Sequence, residues 1–260
     1  MNGLGNDYLY VYAEKVPENA PELSIKYSER HFGAGSDGMI WILPSEKADF
    51  EMRIFNADGS EAKMCGNGIR CVGKYVYDKG YTDKTVLKID TLSGIKTLDM
   101  KVADGKVKSV TVDMGKVSVG DTMLLDVCGG TLETVPVSVG NPHAVTFVDD
   151  AEAVKLESTG SALEHHPAFP GGVNAEFVSL AGKNKLRMRV WERGSGVTMA
   201  CGTGACASAS AAVSRGLCEP DEKISVVLDG GILEITVSKE YTVKMTGPAE
   251  MIYDGETIDG

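Results

Sequence analysis

Long apolar runs are missing from this chain. No stretch approaches the roughly 20 consecutive apolar residues of a membrane-spanning helix, and no basic segment with a short apolar core opens it. The expectation is a cytoplasmic protein with no membrane partner. Basic residues are outnumbered, with 26 Lys and Arg against 37 Asp and Glu and a formal charge of −11. Nucleic acid and anionic lipid surfaces both call for clustered Lys and Arg, so neither is an expected partner. The excess acid is most simply a soluble surface. There is no Cys-x-x-Cys, and the spacings Cys65 to Cys71 and Cys201 to Cys206 are not usual zinc spacings, which argues against a metal site. Six cysteines (Cys65, Cys71, Cys128, Cys201, Cys206, Cys218) are an even number, but disulfide frameworks belong to small secreted domains that lack a core. Reduced thiols are the expectation. Apolar residues make up 43% of the chain, which excludes disorder.

What the chain has in excess is glycine, 31 of 260 residues where usual usage is roughly 7%. Its length also exceeds an ordinary domain of about 100–200 residues. An internal repeat accounts for both. Met52-Arg53-Ile54-Phe55-Asn56 answers Met188-Arg189-Val190-Trp191-Glu192 at an offset of 188 − 52 = 136. Cys65-Gly66-Asn67-Gly68 answers Cys201-Gly202-Thr203-Gly204, and Lys79-Gly80 answers Arg215-Gly216, at the same offset. Gly5-Asn6-Asp7-Tyr8 answers Gly140-Asn141-Pro142-His143 at 135. Four blocks in one register imply a duplicated domain. The boundary is expected near Gly115–Gly120, giving domains 1–115 and 116–246.

Each copy mixes strands with one principal helix. Residues 51–55, 86–90, 107–113, 187–191 and 232–237 alternate apolar and polar positions, the period of a strand. After each Cys-Gly-x-Gly the period changes to that of a helix, which should start near the cysteine and stop at Gly80 or Gly216. The second helix, a run of small residues from Ala205 to Val213, should be tightly packed near the centre of its domain. Residues 132–139 read as a strand ahead of Gly140-Asn141, whereas only four residues precede Gly5-Asn6. Either the chain starts late or that strand is supplied by something outside this sequence.

A cysteine followed by Gly-x-Gly at a helix start meets unpaired backbone N–H groups and the positive end of the helix dipole. That setting should lower the thiol pKa and cradle an anion such as a carboxylate. Two such sites facing one interdomain cleft would put thiols on opposite sides of a bound molecule. Inversion at carbon calls for that arrangement: one thiolate removes the α-proton and the other thiol protonates the opposite face. The pair then titrates as a unit. A Cys65–Cys201 disulfide would be an oxidised, inactive form. Cys71, Cys128, Cys206 and Cys218 are expected to be buried structural thiols.

The stretch Phe55-Asn56-Ala57-Asp58-Gly59-Ser60-Glu61, running into Met64-Cys65-Gly66-Asn67-Gly68-Ile69-Arg70-Cys71, resembles the signature of the diaminopimelate epimerases. So do Gly3-Leu4-Gly5-Asn6-Asp7, Gly140-Asn141-Pro142-His143, Gly172-Val173-Asn174, Trp191-Glu192-Arg193-Gly194 and Ala200-Cys201-Gly202-Thr203-Gly204-Ala205-Cys206. The resemblance covers nearly the whole chain. It implies an α+β fold of two pseudo-symmetric domains, each a curved, mainly antiparallel sheet around a central helix, with residues 247–260 returning to the first. It implies interconversion of LL- and meso-diaminopimelate without cofactor or metal, in lysine and peptidoglycan precursor synthesis, with Cys65 and Cys201 as catalytic cysteines. Gly66, Asn67, Gly202 and Thr203 match positions that hold the reacting carboxylate. Asn6, Asn56, Asn141, Asn174, Glu192 and Arg193 match the remaining substrate contacts, and His143 and Glu192 match groups that tune the cysteines. A homodimer is also implied, with Tyr253 near the dimer contact.

Plainer roles stand beside these: a surface ion pair for Glu192 and Arg193, a turn cap for His143, and turn positions for the four asparagines. The chain departs from the family in its short lead before Gly3-Leu4-Gly5 and in having Gly38 where a substrate-contacting Gln is usual, so no contact is assigned to Gly38. Two other functions remain open. One is a racemase of another amino acid on the same fold, against which the polar Glu192, Arg193 and asparagines argue. The other is a non-catalytic amino-acid-binding protein, which would not need two opposed thiols.

Overall fold

The structure is a computed structural model and describes residues 1–257. The chain forms two compact units, one of Met1–Val112 with residues 247–257, the other of Asp113–Thr246. Positions 258–260 of the expected returning segment lie outside the described residues.

In the first unit the elements are β1 (Asn2–Gly3), β2 (Asn6–Asp7), β3 (Leu9–Tyr12), α1 (Ala20–Ser28), β4 (Gly38–Leu43), β5 (Phe50–Asn56), β6 (Glu61–Ala62), α2 (Gly66–Asp78), β7 (Val86–Asp90), β8 (Lys96–Ala103) and β9 (Lys106–Lys116), which runs past the unit boundary. Strands β3 and β4 are parallel, β4 and β5 antiparallel, β5 and β7 parallel, and β7, β8 and β9 successively antiparallel. β4 is buried along its whole length, and its period of two explains how. Met39, Trp41 and Leu43 point to one face and pack with Ala20 of α1. Ile40 points the other way, to α2, where a β-carbon on Gly68 would touch its Cδ1.

The second unit holds β10 (Ser118–Val119), β11 (Met123–Val127), β12 (Gly130–Ser138), β13 (Pro142–Phe147), α3 (Leu156–Glu164), β14 (Asn174–Gly182), β15 (Lys185–Glu192), β16 (Gly196–Val197), α4 (Gly202–Ser214), β17 (Lys223–Leu228), β18 (Gly231–Val237) and β19 (Thr242–Gly247). The pairing of β13 with β14 and of β15 with β17 is parallel, as for β3 with β4 and β5 with β7. The helices repeat in step: α3 starts 156 − 20 = 136 after α1, and α4 starts 202 − 66 = 136 after α2. Phe177 and Ala175 pack against Leu156 and Leu163 of α3. α4 is buried nearly all round, and its alanines and serines let the surrounding strands come close. Its buried hydroxyls are satisfied locally, Ser210 on the Cys206 carbonyl (2.8 Å) and Ser208 on Met188 Sδ (3.1 Å).

Both helices stop where the glycines indicated: Gly80 and Gly216 follow the C-caps with φ of 78° and 67°. Cys128 departs from expectation. It is exposed, because Cys128 and Gly129 form the two-residue turn between β11 and β12, with φ of 52° and 77°. Positive φ at both positions is what a tight hairpin needs, and a turn tip faces solvent whatever residue fills it. All six cysteines are free, and Cys71, Cys206 and Cys218 are buried.

Candidate active site

Each unit places a cysteine at the same point of the same helix. Cys65 is the N-cap of α2 and accepts from the Gly68 N–H at 3.3 Å. Cys201 is the N-cap of α4 and accepts from the Gly204 N–H, also at 3.3 Å. Both residues have extended backbone, as an N-cap requires, and each sulfur does the work usually given to a Ser or Asp oxygen. The following residues, Gly66 with Asn67 and Gly202 with Thr203, form the first turns, whose N–H groups have no intrahelical carbonyl. An anion is favoured there.

In the first unit the Cys65 thiol donates to Asn6 Oδ1 (3.3 Å), and the Asn6 amide donates to Asp37 Oδ2 (2.7 Å). Asp37 also receives the Asp7 N–H and the Arg30 guanidinium, which bridges to Asp7. Asn6 is thereby fixed by a carboxylate that the sequence did not single out. Asn56 lies at the end of β5, accepting from the Tyr8 hydroxyl (3.3 Å) and donating to Ser60 Oγ (3.1 Å). Asn67 is buried in the first turn of α2. Tyr253 is exposed in the C-terminal segment of this unit.

In the second unit Thr203 Oγ1 stands 3.5 Å from Cys201 Sγ and receives the Asn141 amide at 3.4 Å. Asn141 Oδ1 faces His143 Nε2 (3.1 Å), and His143 Nδ1 faces Glu176 Oε1 (2.7 Å). His143 and Glu176 are fully buried side chains, so His143 is no surface turn cap. Asn174 binds the Arg193 N–H (2.9 Å) and the Pro142 carbonyl (3.2 Å), joining β13 to the 192–194 turn. Glu192 accepts from the Thr198 hydroxyl, and the Arg193 guanidinium donates to the Gly171 carbonyl (3.0 Å). Glu164 holds that turn from α3 through Trp191 Nε1 (2.6 Å) and the Gly194 N–H (2.9 Å).

The helix start does not lower the thiol of Cys201. Burial pushes it well above its ordinary range, and the charges of Glu192 and Glu176 push the same way. Hydrogen bonds from Thr203 and the Gly204 N–H oppose them without prevailing. Desolvation of a thiolate outweighs one helix terminus. Glu176 was not singled out in the sequence, since a polar residue within a strand reads as solvent-facing. Its carboxyl is raised by burial, partly countered by His143.

A repeated α+β unit with a thiol at the start of α2 and again at the start of α4 places the chain in the diaminopimelate epimerase-like class of folds. A phenazine biosynthesis protein of the PhzF family from Bacillus anthracis shares the fold, with a TM-score of 0.73 at 17% identity over 95% of this chain and 92% of that one. The diaminopimelate epimerase family model matches residues 1–120 and 135–252. The gap between the two matches coincides with the hairpin of β11 and β12 that carries Cys128. The diaminopimelate epimerase of Acetivibrio thermocellus is 49% identical over 98% of this chain and 96% of its own, and that of Bacteroides thetaiotaomicron is 51% identical over the same shares. The chain belongs to the diaminopimelate epimerase family. Among the described residues no helix is long and apolar enough to cross a membrane.

Proposed function

We propose that this chain interconverts LL- and meso-diaminopimelate without a cofactor, with Cys65 and Cys201 as the two proton carriers. The supporting observation is the matched pair of thiol N-caps, each bonded to the third residue of its helix, in a chain that belongs to this family.

The chemistry follows from the groups present. An α-proton is weakly acidic, so its removal needs a thiolate and a place for the charge that spreads into the carboxylate. The first turns at Gly66–Asn67 and Gly202–Thr203 supply N–H groups aimed at such a charge. One cysteine takes the proton as thiolate while the other, as thiol, returns one to the opposite face, and in reverse the roles exchange. The two titrate as a unit holding one proton. His143 and Glu192 tune Cys201 from beneath. Asn6, Asn56, Asn141, Asn174, Glu192 and Arg193 make the polar contacts with the substrate, whose distal ammonium and carboxylate call for such groups, Arg193 offering a planar fork. That polarity favours this substrate over a small apolar amino acid, and two retained thiols favour catalysis over binding alone. The protein works in the cytoplasm as a homodimer with Tyr253 at the contact.

Incubation with LL-diaminopimelate in heavy water under reducing conditions tests the reading. The first meso product formed, with no added cofactor, should carry one deuterium, at the inverted α-carbon; an intact, folded protein that exchanges nothing would overturn it. Cys65→Ala and Cys201→Ala should each abolish epimerisation. Sedimentation of the intact protein, and of Tyr253→Ala beside it, tests the dimer.

A further inference from the structure

Glu176 sits where the first unit has an apolar residue. Position 176 − 136 = 40 is Ile40, buried against α2. In the second unit the same strand position carries a carboxyl group with no exposed side-chain area, one oxygen on His143 and the other, Oε2, buried with no hydrogen bond among the described residues. A carboxyl group that replaces Ile in a core must be offset by its hydrogen bonds or hold a proton.

We propose that Glu176 is a positioning residue: it shares one proton with His143 and so sets the direction of the hydrogen-bond chain through Asn141 and Thr203 to the sulfur of Cys201. The proposal rests on the reading of Cys201 as a proton carrier only for its meaning in turnover.

The chain has two consistent directions, because an Asn amide fits the same heavy-atom positions in either orientation and the hydroxyl of Thr203 can turn. In one, the proton lies between Glu176 Oε1 and His143 Nδ1, Nε2–H donates to Asn141 Oδ1, the Asn141 amide donates to Thr203, and the Thr203 hydroxyl donates to a Cys201 thiolate. In the other, the Cys201 thiol donates to Thr203, Thr203 to Asn141 Oδ1, and the Asn141 amide to Nε2, while Nδ1–H donates to an ionised Glu176. Both arrangements hold the same protons and the same total charge. The single negative charge is on sulfur in the first and on Glu176 in the second; passing between them turns the Asn141 amide by half a turn and moves one proton between Cys201 Sγ and His143 Nε2 by exchange with solvent, since the amide keeps its own. Forming the thiolate thus removes the Glu176 charge that opposes it.

Glu176 on β14 meets His143 from β13, Glu192 from β15 and Cys201 from the start of α4. Cys201 meets Glu192, Glu176 and the Thr203 hydroxyl.

Two readouts test this without substrate, so failure of the coupling and failure of the epimerase reading are separable. In the wild-type protein, 15N imidazole signals are followed against pH; the chain has only four histidines, His31, His143, His165 and His166. Iodoacetamide alkylation of Cys201, located by mass spectrometry, is followed over the same range. Below a common midpoint the cluster holds one proton more, and its loss opens both arrangements together, so the His143 signals should change at the same pH at which Cys201 becomes reactive. In Glu176→Gln, which keeps the shape and removes the charge, that midpoint should fall by about one pH unit or more, and the His143 signals should cease to follow it. His143 signals indifferent to Cys201 in the wild type, or an unmoved midpoint in Glu176→Gln, would overturn the proposal. If the variant fails to fold, the wild-type comparison decides alone.

Discussion

Gly204 and Glu176 share one place: a β-carbon built on Gly204 would meet Glu176 Oε1 at 2.7 Å. The first unit has the same relationship between Gly68 and Ile40, whose Cδ1 would lie 2.7 Å from a β-carbon on that glycine. The third residue of each helix is therefore glycine for reasons of space, and what fills the space differs, apolar in one unit and acidic in the other.

Alanine at the two positions should separate these cases. Gly68→Ala presses on the flexible end of Ile40 and should cost about 1–3 kcal/mol of stability as overpacking, partly offset by the better helix former. Gly204→Ala pushes Glu176 off His143 and also crowds Cys201, 3.2 Å away. Its epimerase activity should fall by about 100-fold or more, the scale of a misplaced reacting group. Urea unfolding and turnover on both variants check this. Equal activity loss in the two would show that the nature of the occupant is irrelevant.

Arg70 is fully buried in α2, its guanidinium donating to the Gly66 carbonyl (3.1 Å) and the Pro248 carbonyl (3.1 Å). It ties the start of the helix to the C-terminal segment of the same unit. Arg70→Ala should lose about 3 kcal/mol, from the cavity and the two carbonyls left without this donor. A change in urea midpoint measures it, and a loss below about 1 kcal/mol would contradict the role given to these bonds.

Cys128 should react first with a thiol reagent in the native protein, well ahead of Cys71, Cys206 and Cys218. Cys128→Asn should retain full activity and gain a few tenths of a kcal/mol, since Asn tolerates the left-handed backbone at the turn better. Peptide mapping after brief labelling reads the first outcome, and thermal unfolding reads the second.

Stability should fall on the alkaline side. Burial raises the thiols of Cys71 and Cys201 above their ordinary value of 9.0. Above that pH the unfolded chain releases protons that the folded one keeps, so unfolding is favoured as pH rises toward the folded values. Each pH unit between the two is worth ~1.4 kcal/mol per group. The urea midpoint should drop between about pH 8 and pH 10, by less in Cys71→Ala than in the wild type. An equal drop in both would remove Cys71 from the account.

The start and end of each long helix could be read from the sequence because they rest on local chemistry: Cys-Gly-x-Gly repeats at one offset, and Gly80 and Gly216 take a backbone conformation that disfavours other residues. Residue type alone points to a buried thiol at Cys128, whereas the exposure of a hairpin tip is set by the strands it joins. At Cys201 the helix start is visible in sequence, and the surrounding desolvation that decides its acidity is not. Alternation gives no signal for Glu176, because β14 is covered on both faces there. The signal available was the repeat itself, which sets Glu176 against Ile40.

The cysteine N-caps have a further consequence. A helix held at its first turn by sulfur has its anchor in a group that common electrophiles and oxidants consume. Covalent capture of Cys65 or Cys201 would take away an acceptor for the Gly68 or Gly204 amide, and the first turn would then fray. Hydrogen exchange at those amides would therefore report occupancy of each thiol one unit at a time, making each helix a gauge of the chemistry at its tip.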